Sequence, residues 1–225
     1  MRSAFVPAAA SLTAIGVRAV QLGRRAGRAL AALPRAPMPA PGRAAAARTG
    51  ARGLICLRGD DPVVFCAGLW RLRIYLTGTA ARMLASAELD AVLAHEAAHA
   101  RRRDPLRRLL ARAAVDVLFY LPLATWFSRH QAEHAELAAD RAAIGQAGPN
   151  AVAAALLTLG GGAGQPGAPA AAVPFDGAID ARIAQLAGDS IPPQRPSAKP
   201  VLISLAGLVL TISLAMCLGQ AALHI

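Results

Sequence analysis

The chain has 225 residues, 55% hydrophobic and only 4% aromatic, with 24 Lys and Arg against 13 Asp and Glu for a net charge of +11. That length allows one medium domain with some membrane-embedded structure, or two small ones, and an apolar surface of Ala, Leu and Val favours helices over a β-rich core. Cys56, Cys66 and Cys217 form no C-x-x-C pair, which argues against a disulfide framework. The arginines have no aromatic or glycine-patterned recognition motif beside them, so nucleic acid is not an expected partner. Positive charge beside apolar segments reads instead as the cytoplasmic flank of a membrane protein, with the lipid bilayer as partner.

Ser3 to Val17 is uncharged but shorter than the about 20 residues of a membrane span, so residues 1–22 read as a weak membrane anchor or signal-like segment. Residues 23–52 combine seven arginines with Pro34, Pro37, Pro39 and Pro41 and read as a basic, poorly structured linker. Order resumes at Gly53. Leu54 to Leu57, Val63 to Cys66 and the alternating Arg73 to Thr77 predict three short strands in a small antiparallel sheet. Such a sheet either offers an edge to an extended substrate or simply buries one face of the following helix. Thr79 to Leu84 predicts a short helix, and Ser86 the N-cap of a longer one with Glu88 and Asp90 in its first turn.

That longer helix carries Ala94-His95-Glu96-Ala97-Ala98-His99, an H-E-x-x-H sequence. On a helix, residues four apart share a face, so His95 and His99 can converge on one metal ion. Glu96 lies about 100° round the axis, where a carboxylate can act as general base toward a water on that metal. Pro105 interrupts the helix or begins the next one. Residues 106–128 start basic and turn apolar, yet they are not a single membrane crossing. If His99 and a later ligand share a metal, the chain must leave and return within a few tens of residues. Two legs of about ten residues rise only about 15 Å each, half the hydrocarbon thickness. The segment therefore reads as a helical excursion that turns near Leu121-Pro122.

A catalytic zinc takes three protein ligands and keeps one position for water. Arg102 and Pro105 stand where a metzincin has glycine and histidine, which excludes that class. On the helix predicted from Arg129 to Gly145, Glu136 and Asp140 lie one turn apart. Glu136 can ligate while Asp140 accepts the outer N–H of a ligand histidine; alternatively Asp140 pairs with a neighbour such as Arg141. Glu133, His134 and His130 are substitutes for the third ligand. His130, His134, Tyr75 and Tyr120 are candidates for stabilising an oxyanion.

Helices are also predicted over Ala151 to Leu159 and Ala178 to Leu186, a loop over 160–174 and a linker over 191–200. Residues 201–223 carry no formal charge and predict a transmembrane helix. Arg195 and Lys199 before it place the preceding residues in the cytoplasm.

Taken together, Phe65-Cys66-Ala67-Gly68-Leu69, Arg73-Ile74-Tyr75-Leu76-Thr77, Leu89 through His99 into Arg102-Arg103-Asp104, and Glu136-Leu137-Ala138-Ala139-Asp140-Arg141 resemble the membrane-bound M56 metallopeptidases. This is the family of the β-lactam-sensing receptor proteases, and the M48 peptidases are its relatives. The resemblance covers roughly residues 53–146. It implies a gluzincin-type zinc endopeptidase domain over 53–190, one Zn2+ per chain held by His95, His99 and Glu136, and Glu96 as base. The expected fold is mainly α with a small antiparallel sheet, closed by the transmembrane helix. The expected activity is hydrolysis of protein or peptide substrates in the cytoplasm, such as a repressor; the alternative is a catalytically inactive membrane adaptor. Fewer N-terminal spans than the receptors have, and no sensor following the last span, mean that antibiotic sensing is not expected.

Overall fold

In a computed structural model the described residues are 5–160, 179–190 and 194–221. They form α1 (Phe5–Ala32), α2 (Ala40–Thr49), β1 (Leu54–Leu57), β2 (Val64–Ala67), β3 (Arg73–Thr77), α3 (Gly78–Met83), α4 (Ser86–Arg102), α5 (Asp104–Val117), α6 (Pro122–Ala147), α7 (Pro149–Gly160), α8 (Ile179–Ala187) and α9 (Ala198–Ala221). Most of the loop expected over 160–174, part of the 191–200 linker and the end of the 201–223 segment lie outside the described residues. The architecture is mainly helical with one small sheet. The chain falls into two compact units. One comprises the described residues of 25–107 and 132–191, the other those of 1–24, 108–131 and 192–225. The expected 53–190 domain is thus not one continuous unit, because 108–131 groups with the terminal segments.

The sheet corrects the sequence expectation. Its order is β1-β3-β2, and it is mixed: β2 pairs antiparallel with β3, but β1 pairs parallel with it. The short β2–β3 connection can make only an antiparallel pair, whereas β1 reaches β3 past β2 and enters from the other side. Gly68 makes the tight turn after β2: its φ is +123°, and a Cβ there would overlap the Arg71 carbonyl oxygen. Thr77 ties the end of β3 to its surroundings. Its Oγ1 accepts from the N–H of Ala80, at 3.2 Å, and of Val63, at 3.1 Å, and donates to the Asp61 carbonyl at 2.7 Å.

The stretch expected to be a linker over 23–52 is also different. The helix α1 runs on through Arg24, Arg25 and Arg28, and α2 contributes Ala45 to the core. Between these helices Arg35 bridges Leu57, the Ala36 N–H donates to the Cys56 carbonyl and Arg58 N–H to the Pro34 carbonyl. These contacts cover the outer edge of β1, which would otherwise expose unpaired backbone.

The helix α4 is buried on two sides. Leu89, Val92, Leu93 and Ala97 pack with Ile74 and Leu76 of the sheet, while Ala91 and Ala94 pack with Ala143 and Val152. Leucines fill the sheet side, and on the other alanines let the α7 backbone approach closely. The α4 N-terminus is set by Ala85, not by a Ser86 cap: Glu88 reaches back to accept the Ala85 N–H at 3.0 Å, and Ser86 Oγ accepts from Arg48 instead.

In the other unit, α5 ends at Val117 and α6 begins at Pro122, so the chain turns over 118–121, at the expected Leu121-Pro122. Asp116 is paired there with Arg18, at 2.7 Å, and Arg112, at 2.9 Å. Ser204 on α9 accepts the Leu123 N–H at 3.0 Å, satisfying one orphan donor of the α6 N-terminus. The α9 side chains Leu202, Leu205, Val209, Leu210 and Leu214 are all exposed. Among the described residues no helix is long and apolar enough to cross a membrane.

Candidate metal centre

The site is built where α4 faces α6. Helical spacing aims His95 and His99 from one face of α4 and Glu136 and Asp140 from one face of α6. Nε2 of His95 lies 3.0 Å from Nε2 of His99, and each lies 3.4 Å from an oxygen of Glu136. Tetrahedral ligand atoms at zinc bond lengths of about 2.0–2.2 Å stand about 3.3–3.6 Å apart. The 3.4 Å spacings, one to Oε2 and one to Oε1 of Glu136, fall in that range, and the 3.0 Å Nε2–Nε2 spacing is a few tenths of an ångström short of it. Among the described residues, His95, His99 and Glu136 are the one cluster of this kind.

The outer nitrogens decide the tautomers. His95 Nδ1 lies 2.9 Å from Oδ1 of Asp140, which is 0% exposed, and His99 Nδ1 lies 2.9 Å from Oδ2 of Asp104, which is 2% exposed. A carboxylate only accepts, so both Nδ1 atoms carry a hydrogen, and once the second proton leaves an imidazole its Nε2 lone pair points inward. Two imidazole nitrogens and a carboxylate aimed at one point repel unless a proton or a metal cation lies among them. The donor set, two imidazoles and one carboxylate, is that of a catalytic zinc.

Asp104 was named in the sequence motif without a role. Arg103 adopts the left-handed conformation, φ 57° and ψ 37°, at the end of α4, and its N–H returns to the Ala100 and His99 carbonyls. This reversal brings Asp104, first residue of α5, back onto His99 five positions earlier. An acid just beyond a histidine helix was the available signal. Arg182, on α8, offered none. Its guanidinium forks onto Asp140, Nε to Oδ2 at 2.6 Å and the second nitrogen to Oδ1 at 2.8 Å, and approaches Glu136 to 3.6 Å. Asp140 therefore does not pair with Arg141, which holds Gln185 at 3.1 Å.

Charge in the site follows from this arrangement. Burial opposes ionisation of His95, but its bonds to Asp140 and Glu136 and the charges of Glu136 and Glu96 push its imidazole up to about 10. His99 is raised as well: burial is outweighed by Asp104, Glu136 and the charge of Glu96, against repulsion from His95. Burial would raise Glu136 and Asp140, yet the histidines hold Glu136 well below the usual carboxylate range, and His95 with Arg182 lowers Asp140. Arg182 is raised, because Asp140, Glu136 and Glu96 outweigh its burial. Glu96 thus acts electrostatically on both histidines and on Arg182. Every shift has the sign of a site that favours added positive charge.

The substitutes for the third ligand are not brought in. Neither buried Glu133 nor exposed His134 joins the cluster, and His130 stacks on Trp126 with centroids 4.7 Å apart. Tyr75 is buried against Phe65 at 5.1 Å, and the Tyr120 ring meets Phe119 edge-on.

Such a pair of helices, with an H-E-x-x-H face opposite an acidic one, defines a metallopeptidase-like centre. The chain belongs to the BlaR1 peptidase M56 family, whose profile matches residues 55–186, more than half of its length. A comparison with curated proteins finds none that matches it.

Proposed function

We propose that the chain is a membrane-attached zinc endopeptidase, with His95, His99 and Glu136 as ligands and Glu96 as general base. The observation that carries this reading is the convergence of the two Nε2 atoms on the Glu136 carboxylate, within the field of Glu96. When bound, zinc would supply a water of lowered pKa and a Lewis acid for the scissile carbonyl. Glu96 takes the proton of the attacking water and passes it to the leaving amine nitrogen. Asp140 and Asp104 keep both imidazoles in the ligating tautomer and at a fixed angle.

Attachment to the bilayer rests on the exposed apolar side chains of α9, where Leu210 is 70% exposed. Arg195 and Lys199, just before them, favour a cytoplasmic peptidase unit. Its substrates are then proteins reachable from that side, a cytoplasmic repressor being the one the family suggests. The test is Glu96→Gln, which should retain about one zinc per chain and lose cleavage of every substrate that the wild type cuts. Retained cleavage would sink the mechanism.

A further inference from the structure

The seat of α8 is polar. Its nine residues are fewer than the about 12–15 an isolated helix needs, and none of them is buried. Ile179 and Ile183 are exposed, and Leu186 is the residue that packs in part against the α4–α6–α7 cluster. What else holds the helix is a row of contacts to one face of α6. Gln185 donates to the Leu137 carbonyl at 3.1 Å and accepts from Arg141, and Arg182 grips both oxygens of Asp140. The carboxylate that anchors α8 is thus the one that accepts from His95 Nδ1 at 2.9 Å.

A guanidinium fork fixes a carboxylate in plane and in rotation, which a point charge cannot do. With Arg182 in place, Asp140 presents Oδ1 to His95 at one angle. Without it the carboxylate is free to turn, and the imidazole loses its alignment. We propose that α8 is a latch on the metal centre: Arg182 positions Asp140 and through it His95, so that zinc loading and the seating of α8 are one coupled equilibrium. Arg182 is a positioning residue, since it acts through Asp140. Linkage makes the effect reciprocal: whatever factor the seated helix adds to zinc affinity, bound zinc adds to the seating of the helix. The inference rests on the metal-site reading above.

The experiment uses the full chain, with zinc affinity from competition against a chromophoric chelator and amide hydrogen exchange over 179–187 with and without zinc. Arg182→Gln should weaken zinc binding about 10–100-fold, the usual cost of losing an outer partner of a ligand. Arg182→Lys should recover part of that loss. In an Asp140→Asn background, Arg182→Gln should cost nothing more, because the route from arginine to metal is already cut. Zinc should slow exchange of the α8 amides in the wild type and leave it fast in Arg182→Gln. Should Arg182→Gln fail to fold, Arg182→Lys and the wild-type exchange data carry the same test. If the wild type binds zinc but the two substitutions multiply, or α8 exchange ignores zinc, the latch is overturned and the metal site stands. If the wild type binds no zinc, both fall.

Discussion

Asp104 holds His99 from five residues further along the chain, its Oδ2 2.9 Å from the imidazole Nδ1, as Asp140 holds His95 from the facing helix. Each histidine of the centre therefore has its own buried carboxylate, one supplied locally and one across the site. Asp104→Asn keeps the shape but offers an amide that can donate to Nδ1. A histidine turned to that tautomer carries its hydrogen on the nitrogen that should ligate. Zinc affinity should fall about 10–100-fold, as read by chelator competition; an unchanged affinity would mean that Asp104 is structural only.

The pH dependence of the metal-free fold has a definite sign. The folded His95 titrates at about 10 against an ordinary 6.5, so its stabilisation is complete below 6.5 and lost as pH rises through 10. His99, raised too, acts in the same direction. Glu136 and Asp140 are lowered, so their contributions are complete above the ordinary 4.5 and 3.8 and are lost as pH falls through the folded values. Urea unfolding with chelator present should show greatest stability between those limits and a decline toward pH 10. Stability rising over pH 7–10 would contradict this charge arrangement. Zinc competes with the same protons, so its affinity should tighten over that range.

Leu93 of α4 is fully buried where the helix packs on the sheet. Leu93→Ala should cost about 2–5 kcal/mol of stability in chemical unfolding. Because α4 carries both histidines, zinc affinity should drop with it; an effect on stability below about 1 kcal/mol would show that the site collapses around the cavity.

Much of the centre was legible in the sequence because its pairs are local. His95 with His99 and Glu136 with Asp140 are each four apart, a spacing that helices convert directly into a shared face. Asp104 was within reach of the same logic, but the left-handed Arg103 that folds it back leaves no mark in a run of arginines. Arg182 stands 42 positions from Asp140 and belongs to a helix whose own pattern is unremarkable, so only tertiary structure connects them. The sheet tells a similar story. Two short apolar runs and one alternating stretch located β1, β2 and β3 to within a residue, yet the parallel pairing of Leu54 with Ile74 depends on strand order, which local pattern does not carry. Over 23–52 the prolines and arginines suggested a linker, whereas the intervening alanines form α2 and residues near Arg35 pair with β1.

The proposed membrane attachment through α9 predicts that charges on its exposed residues release the chain. Burying a carboxylate in apolar surroundings is strongly unfavourable, so Leu205→Asp with Leu210→Asp should move the protein from vesicle-bound to free in flotation. Both side chains are exposed, so the helix itself should survive the change. Retention on vesicles by the double variant would show that another surface holds the chain.

The proposed function requires His95, His99 and Glu136 to hold one zinc ion. Zinc-edge X-ray absorption on the full chain measures it most directly. Two imidazoles and further oxygen ligands at about 2.0–2.2 Å are expected, with one imidazole lost in His99→Ala. Sulfur at about 2.3 Å, which would implicate the cysteines, or a wild-type chain that takes up no zinc, would contradict it.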